Sequence, residues 1–246
     1  AAGQSRAASL LARVILPRPG EPLDVRKLYI EESATNARRA HAPTRTTLEI
    51  GGESEVSFAT YFNAFPASYW RRYTIITDVT LRLTVQGHGA VVTVYKSMAR
   101  GHSQMVDSAE VSGDEAQTFE FELTLKPFVD GGWYWYDVIG GDVAAVVQSA
   151  EWSAEVPDDR AQHGTVDMAI TTMNRQDFCA KLIDQLADDP DLRPYLDTVF
   201  VMDQGTQPVK ESEFFPAAAE SLGHKLRVIE QGNLGGSGGY VRGQLE

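Results

Sequence analysis

Cysteine is nearly absent: the 246-residue chain has one, Cys179. A single thiol excludes an internal disulfide and a thiolate metal site, and it suits a reducing compartment. It falls in a segment of helical period, where a buried, inert thiol is expected rather than a nucleophile. Long apolar runs are also missing. The N-terminal "ASLLARVILP" is too short, and too interrupted by Arg13, for a signal peptide or a membrane span. No other stretch is long and apolar enough to cross a bilayer. Positive charge is scarce: 22 Lys and Arg stand against 34 Asp and Glu, a net charge of -12. That argues against nucleic acid as the main partner, because a phosphate backbone needs a basic face. The pairs Arg38–Arg39 and Arg71–Arg72 read as solvated surface.

Several chemistries lack their residues. The five histidines (His41, His88, His102, His163, His224) show neither H-x-x-H nor H-E-x-x-H spacing. No G-x-S-x-G elbow is present. The first strand of the second half is followed by "TTMNR", without glycine, which excludes a nicotinamide fingerprint.

What is present divides into two halves with different periods. Hydrophobic residues make up 43% and charged residues 23%, the values of a globular protein. Up to about Trp152 the period is two. "VTLRLTV" (79–85) and "TFEFELTL" (118–125) alternate as half-buried strands do, "AVVTVYK" (90–96) follows the first, and "GGWYWYDVIG" and "VAAVVQSAEW" read as two more. "QGHG" between the first two is a hairpin signal. "FNAFPASYWRRY" (62–73) reads as strand, turn and surface. Short strands with frequent turns suggest an antiparallel sandwich or jelly roll. Trp133-Tyr134-Trp135-Tyr136 puts one aromatic face in the core. The other is free to pack, or to stack on sugar rings.

From about Gly164 the order becomes β-α-β-α-β, which implies a parallel sheet. "RQDFCAKLIDQLADD" spaces Phe178, Leu182 and Leu186 four apart, with Ile183 beside them, as an amphipathic helix. "ESEFFPAAAESLG" reads as a second helix stopped by Gly223, with Pro216 marking a first turn or a kink. The polar segment 156–164 is the expected linker between a sandwich at 1–155 and a nucleotide-sugar-binding part at 165–246. Three strands leave a parallel sheet unfinished, so the chain is expected to be the first part of something longer.

Ligands of parallel sheets bind at the carboxyl ends of the strands, and three such ends carry informative residues. After the first come Thr172, Asn174 and Arg175, a set suited to an anion; Asn174 also suits a helix N-cap with Asp177 three residues on. After the second come Asp203, Gln204 and Gly205, able to accept from a base or a ribose, or to form an Asp turn. After the third comes "NLGGSGGYVRG". There Asn233, Gly235 and Gly236 open a glycine loop that lets backbone approach a phosphate, unless it is a flexible linker.

At this point the residues resemble a family. The stretches "LLARVILPRPGEPLDVRKLYIEES", "TNARRAHAPTRTTLEI", "EVSFATYFNAFPASYWRRYT", "PFVDGGWYWYD" and "NLGGSGGYVR" resemble the N-terminal part of the actinobacterial polymerising galactofuranosyltransferases of cell-wall galactan synthesis. The resemblance implies a multidomain fold: an all-β jelly-roll-like sandwich, then the first β-α-β-α-β part of an α/β, Rossmann-like GT-A domain. It implies UDP-galactofuranose as donor, a lipid-linked galactan as acceptor, and a divalent cation (Mn2+ or Mg2+). It further implies a homotetramer peripheral to the cytoplasmic face of the plasma membrane. By resemblance the P-T-x-N-R motif falls on Thr171 to Arg175, with Thr171 in place of proline. D-Q-G falls on Asp203 to Gly205, and the glycine motif on Asn233 to Gly239. The family's D-x-D, its catalytic-base Asp and its metal-binding His have no counterpart here, so no catalytic or metal residue is assigned and the isolated chain is expected to be inactive. The rival expectation is a carbohydrate-binding or oligomerisation sandwich without catalysis.

Overall fold

Alternating apolar and polar residues build two antiparallel sheets in the first of two compact units, Ala1–Ala161 and Gln162–Glu246. A computed structural model describes residues 6–33, 40–161 and 164–246. Arg38, Arg39 and His163 lie outside the described residues.

The elements of the first unit are β1 (Arg6–Arg13), α1 (Leu23–Arg26), β2 (Glu31–Glu32), β3 (Ala40–His41), β4 (Leu48–Ile50), β5 (Glu55–Ser57), α2 (Ala67–Tyr73), β6 (Asp78–Gln86), β7 (Val91–Met98), β8 (Ser103–Glu110), β9 (Gln117–Thr124), β10 (Gly132–Ile139) and β11 (Ala145–Pro157). One sheet runs β3-β4-β11-β6-β9, with β1 also on β11; the other runs β2-β5-β10-β7-β8. One core lies between them. Leu81, Leu83 and Val85 of β6 meet Val92 and Val94 of β7 and Tyr134, Tyr136 and Val138 of β10. Ring stacking crosses the sandwich: Trp152 of β11 lies 4.7 Å from Phe65 and 6.2 Å from Tyr134, centroid to centroid.

Three local expectations change. "QGHG" is not a hairpin, because β6 and β7 belong to different sheets. The turn carries the chain across the sandwich; Gly87 sits at φ +126, and a Cβ there would lie 2.6 Å from the Ala144 carbonyl oxygen. "ASYWRRY" is α2 rather than strand, started by Pro66, whose carbonyl accepts from Trp70 and Tyr69 N–H. A proline at a helix start loses nothing by lacking an N–H. "ASLLAR" forms most of β1, which pairs along β11 from Arg6↔Pro157 to Arg13↔Glu151. A bulge between Leu10 and Ala12 breaks its alternation, which hides it from period-two reading.

The second unit contains β12 (Val166–Thr172), α3 (Gln176–Asp188), β13 (Leu196–Asp203), α4 (Phe215–Leu222), β14 (Leu226–Glu230) and α5 (Gly235–Leu245). The three strands are parallel in the order β12-β13-β14. The central strand is apolar on both faces: Val199 to Met202 are all buried. Pro216 sits in the first turn of α4, and Gly223, at φ 56, ends it.

Two helices differ from expectation. The buried face of α3 is Cys179, Ala180, Ile183, Leu186 and Ala187, while Phe178 is 73% exposed and Leu182 40% exposed. Ile183 and Leu186 pack with Cys179 and Ala187 against Leu196, Val199 and Val201 of β13, which leaves Phe178 and Leu182 at the margin of the buried stripe. The glycine run is not a loop. It is the first half of α5, which begins at Gly235 and packs on β12 and β13. A Cβ on Gly239 would come within 2.6 Å of Thr171 Oγ1, and one on Gly243 within 2.6 Å of Ala169 Cβ. Glycine is weak in a helix interior, but at these positions its missing side chain lets helix and strand touch.

Candidate functional site

The carboxyl ends of the three parallel strands stand abreast: Thr172 is the register partner of Asp203, and Asp203 of Glu230. The loops that follow, 173–175, 204–208 and 231–234, meet at this end, and three polar side chains tie them together.

Asn174 ties the first loop to the second. It adopts φ 51, a left-handed conformation that asparagine tolerates. Its Oδ1 accepts Thr206 N–H at 2.8 Å and Gln207 N–H at 3.1 Å. It therefore does not cap α3; Arg175 holds the N-cap position, without a side-chain cap bond. Gly205 makes the approach feasible, since a Cβ there would lie 2.5 Å from Asn174 Oδ1.

Asp203 closes the second loop on itself. It is 2% exposed, and its carboxylate accepts Gly205 N–H at 3.2 Å and Val209 N–H at 2.6 Å. This is an Asp turn. Two backbone donors compensate the cost of burying the charge.

Gln204 ties the second loop to the third. Its Oε1 accepts Leu234 N–H at 2.8 Å and Gln231 Nε2–H at 3.2 Å, and its Nε2 donates to the Gly235 carbonyl at 3.0 Å. Every polar atom of this buried amide has a partner. Asn233 completes the turn by accepting Gly235 N–H at 2.9 Å. Gly235, at φ 72, then leads into α5.

The nine residues thus separate into two groups. Thr172, Asp203 and Gln204 are buried and spend their hydrogen bonds within the protein; the Thr172 carbonyl accepts Gln204 N–H at 3.0 Å. Asn174, Arg175, Asn233, Gly235 and Gly236 face solvent, Gly205 being half-buried beside Asn174. Arg175 makes no ion pair among the described residues. Gly235 N–H is held by Asn233, and from Gly236 on the first turn of α5 presents N–H groups without intrahelical partners and the positive end of its dipole. Backbone donors beside a guanidinium suit a phosphate or another compact anion. Sequence reading missed Gln231, Thr206 and Gln207, which act through backbone or amide groups and carry no motif signal.

Cys179 packs beneath this end. Burial, reinforced by the charge of Asp203, pushes its thiol up to about 11, so it is neither nucleophile nor ligand. A divalent cation finds no seat here: among the described residues no group of three or more His, Cys, Asp or Glu side chains converges.

Residues 11–155 match the family described as Galactofuranosyltransferase 2 N-terminal. Over 247 residues the chain is 53% identical to Galactofuranosyltransferase GlfT2 of Mycolicibacterium smegmatis, covering 100% of this chain and 38% of the relative. It is 53% identical to Galactofuranosyltransferase GlfT2 of Mycobacterium tuberculosis, over 98% of this chain and 37% of that one. The chain therefore spans well under half the length of the curated relatives it matches. A family 29 carbohydrate-binding module aligns at 11% identity over 61% of this chain and 93% of its own, with a TM-score of 0.35, too low to carry an argument. The matched span runs from within β1 to within β11, more than half of the chain, and on that ground the chain belongs to the galactofuranosyltransferase 2 N-terminal family.

Proposed function

We propose that the chain is the N-terminal part of a polymerising galactofuranosyltransferase, with UDP-galactofuranose as donor and a lipid-linked galactan as acceptor. The single observation that supports this most is the 53% identity to two galactofuranosyltransferases along essentially the whole chain, through both units. In this reading β12-α3-β13-α4-β14 opens a GT-A domain, and its strand ends receive the nucleotide of the donor.

The geometry supports the following roles. The Arg175 guanidinium and the first-turn amides of α5 from Gly236 on hold the diphosphate, while Gly235, its N–H held by Asn233, turns the backbone toward it. Asn174, Gly205 and Asn233 shape the rim. Thr172, Asp203 and Gln204 hold the three loops in register, so that little reorganisation is needed when the donor binds. The divalent cation of the reading would neutralise the departing UDP. The described residues do not fit it, so its ligands and the proton acceptor belong to the longer protein. The reading also carries a homotetramer, peripheral to the cytoplasmic face of the plasma membrane. Among the described residues no helix is long and apolar enough to cross a membrane.

The test is UDP binding by isothermal titration calorimetry to the longer protein containing this chain. Arg175→Ala should weaken UDP by about 1–3 kcal/mol, the worth of a charge-assisted hydrogen bond, and galactan elongation should fall with it. Unchanged UDP affinity together with unchanged elongation would remove Arg175 from the donor site and with it the placement of the nucleotide.

A further inference from the structure

A cleft of about 790 Å3 opens in the first unit, along the 59–66 loop between β5 and α2 and against β10. Three large aromatic side chains line it while staying open to solvent: Tyr61 at 79%, Trp133 at 46% and Phe62 at 41%. Their positions are fixed. Phe62 stacks on Tyr29 at 4.6 Å and meets Tyr61 edge-on at 5.1 Å. Trp135, on the same side of β10 as Trp133, stacks on Tyr95 at 5.8 Å. The loop is fastened from below: Asn63 donates to the carbonyls of Ile15 and Tyr29, and Thr60 also donates to Tyr29.

The polar groups of the lining divide in the same way. Asn63 and Thr60 are occupied in holding the loop, whereas the side chains of Ser97, Ser103 and Arg13 make no hydrogen bond or ion pair among the described residues. Among the described residues no carboxylate lines the cleft, and Arg13 is the one charged residue there. The Tyr136 hydroxyl, on another lining residue, is buried without a hydrogen-bond partner among the described residues. Such a group in a folded protein calls for an explanation.

Exposed rings interleaved with unoccupied hydroxyls match a ligand that is apolar on one face and dense in hydroxyls at its edges. The volume lies within the range of small-ligand sites, roughly 300–1,000 Å3. A stable protein partner would need about 800 Å2 of surface on this side, far more than three rings supply. We propose that this cleft binds a neutral oligosaccharide, stacked on Trp133 and Tyr61, and that it serves as a glycan-holding site separate from the strand-end site of the second unit. Its sugar, galactofuranose, rests on the transferase reading; the stacking site itself does not.

The experiment titrates a neutral β-linked galactofuranose hexasaccharide, and separately UDP, into the full chain and its variants by calorimetry. Sedimentation velocity is run on the same samples. The expected result is hexasaccharide binding that weakens at least about tenfold in both Trp133→Ala and Tyr61→Ala, with UDP affinity and sedimentation unchanged. Both positions are solvent-exposed, so the variants fold. Hexasaccharide affinity equal to that of the unmodified chain in both variants overturns the proposal, as does an absence of hexasaccharide binding. A change in sedimentation without a change in sugar affinity also overturns it and makes the rings a contact between copies. Arg175→Ala reports separately: lost UDP binding with intact sugar binding keeps the two sites distinct, and unchanged UDP affinity there counts against the transferase reading alone.

Discussion

The Asn174 side-chain oxygen accepts the Thr206 backbone N–H at 2.8 Å, so one amide joins the loops that follow the first two parallel strands. The residue that makes this bond also stands at φ 51. Backbone and side chain can be separated by substitution. Asn174→Gly keeps the left-handed backbone accessible and loses the acceptor; Asn174→Ala loses both. Chemical denaturation should show Ala destabilising by about 1–2 kcal/mol and Gly by less. Equal losses would mean that the backbone conformation contributes nothing.

Glycines along α5 should respond in opposite directions. Gly243→Ala drives a methyl into Ala169, and Gly239→Ala drives one into Thr171, so each should cost about 1–3 kcal/mol by overpacking. Gly236 has nothing within 4 Å of a built Cβ. Gly236→Ala should therefore stabilise by about 0.5–1 kcal/mol through helix propensity. Thermal unfolding followed by circular dichroism distinguishes the two signs, and a destabilising Gly236→Ala would contradict the packing described for α5.

Thr171 carries a hydroxyl that is buried and has no partner among the described residues. Thr171→Val keeps the branched shape and removes that oxygen. Urea denaturation should show it neutral or more stable by about 1 kcal/mol. A clear loss of stability would reveal a partner for the hydroxyl.

Asp137 should make the sandwich less stable as pH rises. Burial raises its carboxyl to about 6, with Glu55 and Glu31 adding repulsion and a Ser57 hydrogen bond opposing. The folded pKa lies above the unfolded one, so the native state binds more protons between about 4 and 6. The stabilisation is fully present below about 4 and is lost as pH rises through 6. Tm measured from pH 4 to pH 7 should fall relative to that of Asp137→Asn, with a constant gap above pH 7. Parallel profiles would show that Asp137 ionises as it does in the unfolded chain.

Cys179 should resist thiol reagents in the native state. With its pKa pushed to about 11, roughly a hundredth of the thiolate of an ordinary cysteine is present at pH 8, and the sulfur is buried as well. Reaction with a disulfide reagent should proceed at the rate of unfolding. Fast labelling in native buffer would place Cys179 outside the core.

The amino-acid order by itself determined the elements whose period is local. Alternation marks β6 and β9, and the apolar β13 between two helical segments marks a parallel strand. Period cannot say which strands pair. The Gly87 turn looks like a hairpin, yet it parts β6 from β7 because each finds other neighbours, and β1 is recognisable only through β11. The same holds at the site. Asp203, Gln204 and Asn174 could be picked from their place after strands. Only the tertiary structure decided that the first two are buried clamps and the third a bridge between loops, because a side-chain oxygen takes whichever N–H groups folding brings to it. The glycine run shows the limit most plainly. Its composition reads as a flexible loop, and contact with Thr171 and Ala169, residues about 70 positions away in the chain, makes it the packing face of a helix.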